Sequence, residues 1–147
     1  MKMSTKGRYA LRAMLDLALN YKNGHVLLKD IARRQGISEK YLERILSILK
    51  AANLIKSSRG FKGGYYLLKD PHAVTLKDII FAVEGSISPV ECLDDSQFCS
   101  RCQVCATYEI WLKLKNSIIN ILESTTLADL IKIYQQKNRN KVLMYNI

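Results

Sequence analysis

The stretch ISEKYLERILSILKAANLIKSSRGFKGGYYLL, residues 37–68, decides how the rest of the chain is read. Gly36-Ile37-Ser38 closes one helix and opens the next, with the Ser38 hydroxyl placed to accept an orphan backbone N–H as an N-cap. Over residues 38–52 the apolar side chains Leu42, Ile45, Leu46 and Leu49 recur at three- and four-residue steps, which predicts a helix with one buried face. Its other face carries Glu39, Lys40, Glu43, Arg44, Ser47 and Lys50, all able to hydrogen-bond. Residues 55–58 and 65–68 read as two short strands. The tip between them is Arg59-Gly60-Phe61-Lys62-Gly63-Gly64, where glycines permit tight backbone and two cations are offered to solvent. A helix followed by a basic β-wing is the layout of a winged helix-turn-helix that reads duplex DNA.

The candidate DNA-binding residues are therefore Ser38, Lys40, Tyr41, Glu43 and Arg44 on the helix, with Arg59, Gly60 and Lys62 on the wing. Arg pairs bidentately with guanine in the major groove, and Glu accepts from cytosine N4. Glu43 is informative because phosphate repels an acid on a DNA-facing surface, so it needs a base partner or an intrahelical pair with Lys40 or Lys50. The wing cations reach the minor groove or the backbone.

Charge segregation agrees with this placement. The net charge is +10; residues 1–70 hold 15 Lys/Arg against 5 Asp/Glu, and residues 71–147 hold 8 of each. All the excess positive charge lies on the half with the DNA reader, where it favours phosphate through counterion release. With 48% hydrophobic residues the chain can bury a core. No segment approaches the roughly 18 apolar residues of a membrane span, and Arg8, Arg12 and Asp16 interrupt any signal-peptide apolar region. A cytoplasmic protein is expected, its cysteines reduced or metal-bound rather than paired.

Ahead of the reader, residues 4–21 form a first helix with Leu11, Met14, Leu15, Ala18 and Leu19 as its stripe, capped by Ser4 or Thr5. Lys6, Arg8 and Arg12 lie near its start, as phosphate contacts or as a solvated face. Val26-Leu27 reads as a short strand, and residues 29–35 as a helix lacking a Ser or Thr cap. After the wing, Asp70-Pro71 marks a hinge, and Thr75-Leu76-Lys77-Asp78 opens a short helix that Gly85 ends. Glu84 has no evident role.

Residues 86–105 show neither helical nor strand periodicity, and a structureless loop of about twenty residues usually has a functional reason. All four cysteines fall here: Cys92, Cys99, Cys102 and Cys105, spaced C-x6-C-x2-C-x2-C. Core cysteines would be scattered among apolar neighbours, whereas clustered ones in a polar loop point to a metal or cluster site. Structural zinc usually takes two knuckles with a longer spacer, so closely spaced thiolates suit iron–sulfur ligation better, with zinc or a thiol–disulfide site as alternatives. Both histidines, His25 and His72, lie outside the loop, and no nucleotide loop or paired acids suggest an enzyme.

Residues 107–123 read as a long helix whose stripe of Ile110, Trp111, Leu114, Ile118, Ile119, Ile121 and Leu122 calls for a twin helix. Thr126-Leu127-Ala128-Asp129 opens a last helix, and the basic tail from Gln135 is expected to fray. The fold class is thus mainly α with a small β-wing: a winged helix-turn-helix head plus a long dimerisation helix. Residues 1–70 form the head, 71–105 the connecting helix and cysteine loop, and 106–147 the dimerisation helix, a short helix and the tail.

The chain resembles the winged-helix, iron–sulfur cluster-sensing regulators of the IscR/NsrR type. The resemblance rests on residues 3–14 (MSTKGRYALRAM), Asp30-Ile31-Ala32, Gln35-Gly36-Ile37-Ser38, Tyr41-Leu42-Glu43 and Arg59-Gly60 leading into Gly63-Gly64-Tyr65. Cys99-Ser100-Arg101, Cys105-Ala106-Thr107, Trp111 and residues 126–130 (TLADL) extend it. It implies a homodimeric transcription factor on a pseudo-palindromic DNA operator, with three cysteines, matching Cys92, Cys99 and Cys105, holding a [2Fe–2S] or, less favoured, a [4Fe–4S] cluster. Cys102 stands where the family does not usually place cysteine, and Tyr108 stands where IscR-like members place a histidine ligand. The fourth ligand, Cys102 or an oxygen from elsewhere, stays open. A zinc-stapled interaction adaptor is the alternative from another class.

Overall fold

The computed structural model describes the backbone of residues 2–61 and 63–145. Three helices come first: α1 (Thr5–Leu19), α2 (Leu28–Gln35) and α3 (Glu39–Ala51). Ser4 caps α1 by accepting from the Gly7 N–H, 3.1 Å away. The helix ends at Leu19, two residues before the expected end, where the Asn20 side-chain amide donates to the Asp16 carbonyl. Leu27 gives α2 no side-chain cap, as its sequence implies; Asp30 in the first turn supplies negative charge to that helix end instead. Gly36, at φ 61°, takes the left-handed conformation that closes α2 and lets Ile37 turn inward. Ser38 then caps α3 by accepting from the Tyr41 N–H.

The periodicity of α3 is realised directly: Leu42, Ile45, Leu46 and Leu49 are buried, and Glu39, Lys40, Glu43, Arg44, Ser47 and Lys50 face solvent. Strands β1 (Ile55–Ser58) and β2 (Gly64–Leu67) pair antiparallel, Ile55 opposite Leu67 and Ser58 opposite Gly64. Val26 adds a single bridge on the free edge of β2, exchanging both backbone hydrogen bonds with Tyr65. The predicted strand at Val26-Leu27 is therefore one residue pair, which still ties the base of the wing to the start of α2.

Helix α4 (Leu76–Glu84) opens on a complete capping box between Thr75 and Asp78. It packs on α1, and its Leu76, Ile79 and Val83 complete a core shared with Met14, Leu17, Leu46 and Leu49. After the cysteine loop, which carries only two short 3-10 turns, come α5 (Ala106–Ser124) and α6 (Leu127–Tyr145). The start of α6 is stitched to the start of α4: Leu76 N–H donates to Thr125 and Leu127 N–H to Val74. Leu127 is fully buried there, so the start of α6 is anchored to the head.

One feature departs from the sequence reading. Helix α6 runs on to Tyr145 instead of fraying at Gln135, because Gln, Lys, Arg, Leu and Met are good helix formers even when unpacked. The stripe on α5 finds little cover within the chain, and none of its residues is buried. Among the described residues no helix is long and apolar enough to cross a membrane.

Candidate nucleic-acid surface and cysteine loop

The polar face of α3 and the tip of the wing are both exposed on the head. Lys40, Glu43 and Arg44 stand free of ion pairs among the described residues, so their charges are available to a partner. Glu43 thus lacks the intrahelical partner that Lys40 or Lys50 could have been. Its carboxylate lies close enough to β2 to act on Tyr65, whose hydroxyl pKa is raised, first by burial and then by the Glu43 charge. Lys50 donates to Ser57 at 2.7 Å and braces the end of α3 against β1. Arg59 and Gly60 are exposed at the tip beside a fully exposed Phe61, and Lys62 lies outside the described residues. Tyr41 is only half-exposed; its ring meets the ring of Tyr9 edge-on at 5.9 Å. Ser38 is exposed, with its oxygen already accepting as the cap.

At the start of α1, Lys6 is half-buried and Arg8 is exposed, donating to Thr5. Arg12 is committed elsewhere. Its guanidinium lies over the Tyr9 ring and hydrogen-bonds to the Gln35 side chain and carbonyl. Next to it, the buried Asp16 accepts two bonds from Arg34, at 2.6 and 2.9 Å, and one from Gln35 at 3.0 Å. The bonds to Asp16 also raise the Arg34 pKa. This brace fixes α2 on α1. Its only signal in the sequence is an acid between Leu15 and Leu17.

In the cysteine loop all four thiols are free and half-buried. Cys102 stands beside Cys92 and Cys99. Its thiol pKa is raised by partial burial first and then by those two sulfurs. Cys105, the N-cap residue of α5, is turned onto the Thr107 hydroxyl, 3.2 Å away. That contact leads the lowering of its pKa, with the Tyr108 backbone bond next. The donor set suits a sulfur-ligated centre in kind, and three of its thiols share one neighbourhood. Among the described residues no three ligating side chains are closed to metal-holding spacing, so a centre using Cys105 requires the loop to bring that thiol to the others.

Asp94, two residues after Cys92, anchors this loop. It accepts from Lys115 of α5 at 2.9 Å and from the hydroxyls of Ser86 and Ser88. Lys115 and then the two serines hold the Asp94 carboxyl down at about 2. Sequence reasoning missed this anchor, since its partners are spread over thirty positions (86–115). On the outer side of α5, Ile110, Trp111 and Ile121 are exposed in the single chain.

Known proteins match this arrangement along most of the chain. The family model described as “Rrf2: Iron-dependent Transcriptional regulator” matches residues 3–133. The HTH-type transcriptional regulator CymR of Bacillus subtilis is 45% identical over 130 residues, covering 88% of this chain and 89% of the relative. The HTH-type transcriptional regulator IscR of Photorhabdus laumondii is 40% identical, covering 89% of this chain and 79% of the relative. Among solved structures, “The Structure of CymR (YrzC) the Global Cysteine Regulator of B. subtilis” superposes with a TM-score of 0.77 at 43% identity, covering 90% of this chain and 98% of that one. “T. potens IscR” gives a TM-score of 0.77 at 41% identity, covering 93% and 90%. These relatives are transcription regulators, not enzymes.

Proposed function

Because the chain belongs to the Rrf2 family of transcriptional regulators, we propose that it is a cytoplasmic homodimer that binds a pseudo-palindromic DNA operator under the control of its cysteine loop. The observation that carries the DNA half is the free charged face of α3, together with an exposed wing, on the half of the chain holding the whole +10 excess. Lys40 and Arg59 hold phosphate, Arg44 and Glu43 read base edges, and the capped start of α3 sets their register. Lys6 and Arg8 offer two further phosphate contacts. The unburied stripe of α5 is the dimer seam, and a two-fold axis there sets two α3 helices about 34 Å apart, one turn of DNA.

For the loop, the reading is an iron–sulfur cluster, [2Fe–2S] before [4Fe–4S], held by Cys92 and Cys99 with Cys105 and Cys102 completing the sulfur set. When bound, such a cluster supplies a centre whose charge changes with oxidation or loss of iron. The protein's part is to hold the loop: Asp94 and Lys115 fix the Cys92 half on α5, and Thr107 orients Cys105. A second reading has one specific observation in its favour. Cys102 beside Cys92 and Cys99 is placed for thiol–disulfide chemistry, and CymR, a relative titled a global cysteine regulator in B. subtilis, also has a Staphylococcus aureus structure titled as an oxidized form.

Gel-shift titration across a salt series tests the DNA half. Lys40→Ala is expected to weaken operator and random DNA alike and to lower the salt slope by roughly 0.9 for each phosphate that the lysine neutralises. Glu43→Gln is expected to change discrimination at one base position by about 1–3 kcal/mol with the slope kept. Binding that ignores salt and both substitutions would contradict this interface.

A further inference from the structure

We propose that Glu84 is the positioning residue through which the cysteine loop acts on the DNA-side end of α1, an inference that rests on the loop-controlled reading above. Glu84 is the last residue of α4, and its Oε1 accepts from the hydroxyl of Ser4, eighty positions away. Ser4 is at the same time the N-cap of α1, accepting from the Gly7 N–H. One carboxylate therefore grips the cap of the helix that carries Lys6 and Arg8. Negative charge is favourable at a helix N-terminus, and Glu84 has no cationic partner among the described residues.

The approach is close enough that a side chain at position 7 would push the carboxylate aside. A Cβ on Gly7 would fall on the Glu84 carboxylate and 2.9 Å from the Met3 sulfur. On the other side of Glu84, Gly85 turns the chain at φ 75° into Ser86, whose hydroxyl is held by Asp94. Asp94 in turn is fixed by Lys115 on α5. From Cys92 to the cap of α1, each link is thus a short backbone step or a hydrogen bond: Asp94 to Ser86, Ser86 through Gly85 to Glu84, Glu84 to Ser4. A second contact runs alongside, since Lys2 and Met3 share one cavity wall with Glu84, Ser86, Ile87 and Ile118. Loosening the loop frees Ser86, shifts the carboxylate, and loosens the first turn of α1 where its cations meet DNA. The role for Glu84 is therefore coupling between two segments, which a double-mutant cycle detects as non-additivity.

Hydrogen–deuterium exchange on the full chain tests this without DNA or metal. The pair Asp94→Asn with Lys115→Met is expected to raise exchange several-fold both in residues 86–105 and in the first turn of α1. On a Glu84→Ala background the first turn is already fast, and adding the loop pair raises it no further. Glu84→Gln, which keeps an acceptor for Ser4, is expected to retain most of the coupling, and Gly7→Ala to mimic Glu84→Ala. A rise confined to 86–105, or additive effects, would overturn the relay. In gel shifts, the ratio of affinities with the loop loaded with iron and sulfide to that with the loop stripped is expected to fall towards one in Glu84→Ala. A ratio kept at the wild-type value would also overturn the relay. A wild-type ratio of one would remove loop control itself, while the exchange result still decides whether Glu84 couples the two segments.

Discussion

Arg34→Met is expected to lower the stability of the folded chain by about 3 kcal/mol, the lower end of what removing one partner from a buried ion pair costs. The lower end applies because only one side of the pair is dry: the Asp16 side chain is 4% exposed and that of Arg34 is 41% exposed. Removing the guanidinium takes two of the three side-chain bonds from a carboxylate that cannot reach water, leaving only Gln35. The stem of Met covers the same apolar surface, so the loss reports the charge and not the packing. Thermal unfolding should shift down by roughly 10 °C. Asp16→Asn combined with Arg34→Met should recover much of this loss, because the buried charge goes with its partner. A double variant as unstable as the single one would mean that α1 and α2 are joined by packing alone.

Cys99→Ala is expected to reduce bound iron and sulfide to background and to abolish the visible absorbance of the anaerobically reconstituted protein. Cys99 is the critical choice because it belongs to both possible sulfur sets, the Cys92–Cys99–Cys105 set that the family resemblance implies and the Cys92–Cys99–Cys102 group that the fold brings together. Cys102→Ala and Cys105→Ala then sort the two sets. Loss on Cys105→Ala with tolerance of Cys102→Ala requires the loop to bring Cys105 to Cys92 and Cys99 on loading. Full iron content in Cys99→Ala would rule out a cluster in this loop and leave the thiol–disulfide reading.

Much of the head could be read from the chain because its determinants are local. Ser38, Gly36 and the Leu42–Ile45–Leu46–Leu49 stripe each act within one helical turn, and the structure places all of them as their spacing dictates. The wing was equally legible from its glycine-rich tip and the strands on either side. What escaped was long-range pairing of single polar groups. Asp16 with Arg34, Glu84 with Ser4 and Asp94 with Lys115 leave no periodic trace, and each joins elements that only the folded chain makes neighbours. Tyr41 shows the reverse failure. Its place on the recognition helix suggests exposure, yet the half-turn towards Tyr9 makes its ring part of the α1–α3 packing. Clustering exposed the cysteines as a group, but spacing alone could not say that Cys102 would side with Cys92 and Cys99 while Cys105 turned onto Thr107 at the start of α5.

The central claim, that the state of the sulfur-bearing loop sets how the charged head holds DNA, is tested most directly by footprinting one operator with the same preparation before and after its iron and sulfide are removed under anaerobic conditions. The account predicts two protected half-sites about one helical turn apart, with a midpoint concentration that changes at least several-fold between the two forms. Identical protection at identical concentrations in both forms would contradict it.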